Sequence, residues 1–264
     1  MDLTRRVQIN KYNGHSMEPS DDLVVREVPY TLFVNDEELA TLVCTPEGLK
    51  ELAAGFLCSE GILHGPGDLK SLEINHSDGF IWAETTSPAP ASRDFLKRYI
   101  TTCCGKGRAS FYFVNDARDI EPLKPSGFKV SAGEITRLAA LLEERASLFR
   151  STGGAHGAAL CHYGNVIAFY EDIGRHNAVD KIMGYCFLEQ IPLSDKIIVI
   201  SGRISSEILI KTARMGIPVI ISRSAPTDLA IEMAESLGIT AAGFARGKKV
   251  NIYTHPERVV ANTE

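Results

Sequence analysis

From Val28 to Val34 and again from Leu39 to Cys44, β-branched and aromatic residues alternate with polar ones on either side of an Asn35-Asp36 turn pair, which predicts a β-hairpin. The period then changes. Leu49, Leu52, Ala53, Phe56 and Leu57 recur at helical spacing. Thr45-Pro46-Glu47 offers an N-cap, a proline for the first helical position and an early acid, and Gly61 offers a stop. Short strands over Leu72 to Asn75 and Phe80 to Glu84 complete a ββαββ order ending near Thr86, the pattern of an α+β roll whose one helix covers one face of a small sheet.

The stretch SPAPAS at 87 to 92 interrupts the pattern; Asp94 to Ile100 then predicts a short helix leading into TTCCGKGR, and Phe111 to Val114 a strand. Asp119 to Gly127, with two prolines and a glycine, reads as a linker, placing a boundary near residue 125. Beyond it, Ile135 to Phe149 is an amphipathic helix, Ala158 to Cys161 and Val166 to Tyr170 are strands joined at Tyr163-Gly164-Asn165, and Asn177 to Leu188 is a helix that Asn177 can cap. Strands at Ile197 to Ile200, Val219 to Ser222 and Thr240 to Phe244 then alternate with helices at Ser205 to Met215 and Thr227 to Leu237. Successive βα units demand a largely parallel sheet covered on both faces. The expected organisation is an α+β roll domain over 1–125, ending in a cysteine-bearing loop, and an α/β domain over 126–264.

Composition narrows the partners. Of 264 residues, 44% are hydrophobic and 23% charged, as in an ordinary soluble globular protein. A net charge of −5 and a pI near 5.8 provide no global positive field for nucleic acid or an anionic membrane, so a polyanion must be gripped locally. No apolar run approaches the ~18 to 20 residues of a membrane span, and MDLTRRVQIN is too polar for a secretory leader, so a cytoplasmic location is expected. A reducing compartment keeps the six cysteines as thiols. Cys44, Cys58, Cys161 and Cys186 sit inside apolar-periodic elements and read as core.

Three stretches offer chemistry. In Thr101 to Arg108, a glycine-punctuated loop exposes Cys103 and Cys104, while Lys106 and Arg108, with Lys97 and Arg98 nearby, favour a thiolate. Thr152-Gly153-Gly154-Ala155-His156 and Glu171 to Lys181 set polar residues beside apolar strands, either as capping and salt bridging or as the rim of a ligand cleft, with no role assigned to His156, Asp172, Arg175 or His176. Gly243 to Lys249 follows an apolar strand; its glycine and three cations suit a phosphate or pyrophosphate beyond the carboxyl end of a parallel sheet, or else form a solvated tip. Ser201-Gly202-Arg203 and Ser222-Arg223-Ser224 stand at two other strand ends and could complete that pocket. No CxxC or HxxxH pair occurs, so no structural zinc is expected.

GFLCSEGIL at 55 to 63, TGGAH at 152 to 156, EDIGRHNAVDK at 171 to 181, and GF followed by a basic glycine loop and YTHPERV at 253 to 259 together resemble FdhD, the formate dehydrogenase accessory sulfurtransferase family, over nearly the full length. The resemblance implies a protein that accepts a persulfide from a cysteine desulfurase and passes its sulfur to the bis-guanine-dinucleotide molybdenum cofactor before that cofactor enters formate dehydrogenase. It places the persulfide on Cys104; many relatives continue as CGxCG, whereas Gly107 stands at the second cysteine position here and Cys103 precedes the first. It places cofactor binding on Phe244, Ala245, Arg246, Gly247, Lys248 and Lys249. It also implies a homodimer and, for the second half, a three-layer cytidine-deaminase-like fold, although the deaminase zinc signature HxE with PCxxC is absent. The competing readings are a cofactor chaperone without sulfur transfer and a nucleotide-modifying enzyme of deaminase descent.

Overall fold

The computed structural model describes residues 2–87, 99–100, 120–124 and 127–261, the strand pair at 99–100 by its backbone. An unforeseen antiparallel hairpin, β1 (Thr4–Tyr12) and β2 (Met17–Val25), comes first. Both its faces are largely exposed and Pro19 lies inside β2, so no hydrophobic alternation announces it.

β3 (Val28–Val34) and β4 (Glu37–Cys44) form the expected hairpin, with Asn35 and Asp36 both at positive φ, 49° and 68°. These are the values a two-residue turn of matching twist requires. β5 (Leu69–Asn75) and β6 (Phe80–Thr85) extend the sheet in the order β5-β6-β3-β4-β7. Its last member, β7 (Tyr99–Ile100), pairs with Thr41 and Leu42, so the helix expected over Asp94 to Ile100 is overturned at its end. The expected strand at Phe111 to Val114 lies outside the described residues. Tyr30, Leu32, Val34, Leu42 and Ile81 point to one face, which α1 (Leu49–Ser59) covers with Leu52, Phe56 and Leu57.

The second sheet has the order β10-β9-β11-β12-β13-β14. β11 (Ile197–Ile200), β12 (Val219–Ser222) and β13 (Thr240–Arg246) are parallel; β9 (His156–His162), β10 (Asn165–Asp172) and β14 (Lys249–Ile252) run antiparallel to their neighbours. Alternate residues serve two cores. Ile197, Val199, Val219 and Ile221 pack with Ile135 and Leu138 of α2 (Ala132–Arg145). Ile198, Ile200 and Ile220 pack with α4 (Arg175–Leu188), α5 (Ser206–Met215) and α6 (Asp228–Leu237) on the opposite face. Helices therefore cover both faces, which is why these strands read as unbroken apolar runs. The helix expected over Ile135 to Phe149 is in fact two, α2 and α3 (Ser147–Thr152), broken at Ala146, whose ψ of 66° is not helical.

One apolar cluster runs from the five-stranded sheet through α1 and α4 into the six-stranded sheet. Where α1 crosses α4, a methyl group on Gly55 would lie 1.8 Å from the carbonyl oxygen of Asp180, and one on Gly184 would lie 1.8 Å from that of Glu51. Only glycine permits so close an approach of two backbones. Among the described residues no helix is long and apolar enough to cross a membrane.

Candidate functional site

The antiparallel and parallel pairings bring one end of every strand in the second sheet, apart from edge strand β14, to a common edge. Asp172 ends β10 and His156 begins β9; Ser201-Gly202 follow β11, Arg223 follows β12, and Phe244 to Arg246 end β13. The helices α4, α5 and α6 also start at this edge, with Gly174, Ser205 and Thr227 at their N-caps. An edge with parallel strand ends and helix starts is where α/β sheets gather ligands.

Most of Glu171 to Lys181 is consumed internally. Glu171 accepts the backbone N–H groups of Leu148 and Phe149, both at 2.8 Å, and so holds the start of α3. Asp172 is fully buried and accepts from Lys181 Nζ at 2.7 Å, from the Thr45 backbone N–H and hydroxyl, each at 3.1 Å, from the Gly174 N–H at 3.0 Å, and from the Asn177 amide at 2.9 Å. Lys181, also fully buried, donates further to the Thr45 hydroxyl and the Glu171 carbonyl. Asp180 pairs with Lys211, and His176 Nε2 lies 2.8 Å from Glu207 Oε2. That contact, foremost through its hydrogen bond, holds the Glu207 carboxyl below the usual carboxylate range.

Two expected caps are corrected by this network. Thr45 does not cap α1, whose N-cap is Gly48 at φ 63°, because the Thr45 hydroxyl is bound into the network. Asn177 does not cap α4, whose N-cap is Gly174, because the Asn177 amide donates to the Val43 carbonyl and to Asp172.

Around His156, Ser201 Oγ accepts the Gly157 N–H at 3.0 Å and lies 3.3 Å from Nδ1 of the imidazole. Burial foremost, then the charges of Arg175 and His176, push the imidazole below its ordinary value, favouring the neutral ring. Arg175 is set against Gly202, where a methyl group would come within 3.3 Å of its Cδ. Its Nε is buried and has no hydrogen-bond partner among the described residues. Arg203 is exposed at the same edge.

The stretch Phe244 to Lys249, expected as a loop, is instead a hairpin. Phe244 to Arg246 belong to β13, Lys249 opens β14, and only Gly247 and Lys248 make the turn, Gly247 at φ 57°. The register slips between Gly243 and Arg246, and Phe244 sits at φ 52°, a left-handed backbone uncommon for a bulky residue. The bulge leaves the Phe244 ring 43% exposed while Ala245 stays buried. The Phe244 N–H donates to Ser224 O at 3.0 Å, and Arg246 Nε donates to Arg223 O at 2.7 Å, so two strand ends are joined. Gly243 is needed there, because a methyl group would meet Ser224 O at 3.1 Å and Pro226 Cδ at 3.1 Å. Arg223 itself pairs with Glu143. Arg246, Lys248 and Lys249 are exposed, and none has a carboxylate partner among the described residues.

Cys103 and Cys104, with Lys106 and Arg108, lie outside the described residues. Cys44, Cys58, Cys161 and Cys186 are buried, and burial foremost pushes each thiol up to about 12. Thiols so shifted are poor nucleophiles, including Cys58 and Cys186, which line a cavity of about 630 Å³ at the far ends of α1, α4 and α5. Among the described residues no group of three His, Cys, Asp or Glu side chains could hold a metal ion.

The model of the FdhD/NarQ family matches residues 25–260 of the sequence. The chain belongs to the FdhD/NarQ family. The match begins at the last residue of β2, so the β1–β2 hairpin precedes it. The chain is 45% identical over 268 residues to a sulfur carrier protein FdhD of Listeria innocua, an alignment covering 98% of this chain and all of that one. It is 48% identical over 252 residues to the protein of that name from Bacillus pumilus, covering 95% of each. A crystal structure from Desulfotalea psychrophila, assigned as a formate dehydrogenase accessory protein, superposes with a TM-score of 0.81 at 24% identity, covering 98% of this chain and all of that one. This likeness places the mixed α/β architecture within the family's fold. Membership also organises the motifs physically: Gly55 lets α1 touch α4, Asp172 and Lys181 join the two sheets' connections, and Gly243 admits the β12 loop.

Proposed function

We propose that this protein is a sulfurtransferase that carries a persulfide on Cys104 and sulfurates a bis-guanine-dinucleotide molybdenum cofactor held at Phe244 to Lys249. The relatives' name, sulfur carrier, supports the first half of the reading. The observation that carries the second is the bulge at Phe244, which presents an exposed ring from a strained backbone beside three cations that have no carboxylate partner among the described residues. Such strain persists only where the surroundings impose it, and it clusters at ligand clamps. A purine base stacks on an aromatic face, while Arg246 meets phosphate as a bidentate fork and Lys248 and Lys249 act as point charges.

In the loading step the Cys104 thiolate attacks the outer sulfur of a desulfurase persulfide; the new S–S bond forms as the old one breaks, and the donor leaves as a thiolate. The acidic persulfide is held as an anion by Lys106 and Arg108 until its outer sulfur passes to the cofactor. The cofactor is substrate here, formate dehydrogenase is its destination, and the protein works as a cytoplasmic homodimer. Its second half, from about residue 126, is assigned to the cytidine-deaminase-like class, with the α+β roll over 1–125.

The test has two arms. Incubation with a desulfurase and cysteine should add one sulfur at Cys104 by mass spectrometry, and Cys104→Ser should lose both that sulfur and formate dehydrogenase activation. Loading confined to Cys103 overturns the assignment, and activation by Cys104→Ser leaves a chaperone without sulfur transfer. Arg246→Ala with Lys248→Ala should weaken GDP binding by at least roughly one to two orders of magnitude, since the loss of even one charge-assisted bond costs about 1.5 to 3 kcal/mol, with loading unchanged. Equal GDP affinities refute the hairpin site.

A further inference from the structure

The first sheet turns one face to α1, and its other face carries an aromatic group that the core does not use. Phe33 on β3 and Phe80 and Trp82 on β6 belong to neither apolar cluster. The strand period explains this, because Leu32, Val34, Ile81 and Ala83 take the inward positions and the residues between them face outward. The three rings touch one another. Phe33 stacks on Trp82 at 6.0 Å between centroids and 21° between planes, while Phe80 meets them edge-on at 5.5 Å and 5.6 Å. Such pairs hold each other in place. All three side chains are only half-buried. A contiguous aromatic group outside the core is a mark of an interaction surface.

Register sets what surrounds the rings. Glu73 of β5 stands across from Trp82, Trp82 across from Phe33, and Phe33 across from Glu38 of β4. One row of the outward face therefore reads Glu73, Trp82, Phe33, Glu38. At ~4.8 Å per strand, the two glutamates stand about 14 Å apart with the stacked rings between them. Both are exposed, and neither carboxylate has a cationic partner among the described residues. Glu84, the next outward acid on β6, is paired with Lys70 at 3.5 Å. Over residues 28–44 and 69–85, which span β3 to β6 and their turns, the sequence holds six carboxylates against one lysine and no arginine. Ring faces are electron-rich as well, so the row presents negative potential along its whole length.

We infer that this row docks an extended, arginine-bearing segment of a partner protein. In such a segment alternate side chains share a face, ~6.6 Å apart. Arginines at positions i and i+4 then span about 13 Å and meet Glu73 and Glu38, while one at i+2 lies against the indole of Trp82. Arginine suits the row better than lysine, because its planar guanidinium forks onto a carboxylate and stacks on a ring. This docking face stands apart from the proposed sulfur transfer and cofactor binding, and its test uses neither.

Trp82 is the single tryptophan of the chain, so its emission reads the face directly. The probe is the capped pentapeptide Arg-Thr-Arg-Thr-Arg, titrated into the full chain at low salt. Trp82 emission should change saturably with a Kd of roughly 0.1 to 1 mM, and the affinity should fall as salt rises. The peptide with lysine in place of arginine should bind at least about twofold more weakly, and the one with glutamate should not bind. Glu38→Gln with Glu73→Gln alters two exposed side chains without touching the core, and should weaken binding at least about threefold. Trp82→Leu, followed by calorimetry, should bind at least about fivefold more weakly; if it fails to fold, the glutamate variant decides alone. No saturable change with the arginine peptide, equal binding of either substitute peptide, or equal binding by the glutamate variant overturns the assignment. Trp82 emission that acrylamide does not quench in the free protein overturns it too, since the face is then covered. Self-association in sedimentation that Trp82→Leu abolishes gives the face to a second copy of this chain and equally refutes the docking of an arginine-bearing partner.

Discussion

Lys181→Met isolates the buried ion pair to which Thr45, from the first half of the chain, is bound. Lys181 Nζ and Asp172 Oδ2 lie 2.7 Å apart, both side chains fully removed from solvent. Methionine preserves most of the stem and deletes the ammonium, leaving the carboxylate with the Thr45, Gly174 and Asn177 donors but no counter-charge. Breaking one partner of a buried pair costs about 3 to 5 kcal/mol. An unfolding entropy of ~2.1 cal/mol/K per residue gives a chain of this length ~0.55 kcal/mol/K. The melting temperature should therefore fall by about 5 to 9 °C in a calorimetric scan. Asp172→Asn on that background removes the stranded charge, so the double variant should be more stable than the sum of the two single losses predicts. A fall below ~2 °C for Lys181→Met, or strict additivity in the double variant, would show that the pair is not desolvated as its burial requires.

Native alkylation at pH 8 should modify at most two of the six cysteines, both in the Cys103-Cys104 pair, and all six after unfolding; the other four, raised to about 12, carry only roughly one thiolate in ten thousand at that pH. Intact-mass spectrometry reads the count, and early labelling at Cys58 or Cys186 would contradict their burial. His156 should titrate below the free value of ~6.5 in an NMR experiment, and in Arg175→Met its midpoint should move upward as the second of its causes disappears. Its folded value is the lower one, so its contribution to stability is complete above ~6.5 and is lost as pH falls through the folded midpoint; a wild-type midpoint at or above 6.5 refutes the cluster's geometry.

Where a residue's partners are local, the sequence reads correctly. Ser205 and Thr227 cap α5 and α6 from their own side chains, accepting the N–H groups of Ile208 and Ala230, and β11 and β12 fall where their apolar runs stand. Where the partner is distant, the same rules mislead. Thr45 looks like a cap, yet its hydroxyl and amide bind Asp172, 127 positions away; Asn177 looks like a cap, yet its amide reaches Val43, 134 positions away. Local capping rules rest on the chemistry of one turn, and a buried charge nearby outbids that turn for any short polar side chain.

The same distinction sorts the motifs that carry the family resemblance. Gly55 is small because the α1 backbone touches that of α4 there, Gly243 is small because a loop crosses it, and the Thr254 hydroxyl accepts the Ala241 N–H and donates to the Ile239 carbonyl. These residues are explained by packing and internal hydrogen bonds alone. Motif membership alone therefore does not separate scaffold from chemistry, and satisfaction does. Among the described residues Arg175 has no acceptor for its buried Nε, and Phe244 is held in a strained backbone with its ring turned outward. Each is a cost that the fold's own contacts do not offset, and both residues stand at the edge where the strand ends and helix starts gather. A nucleotide at the hairpin would relieve the cost at Phe244, because its base would cover the exposed ring.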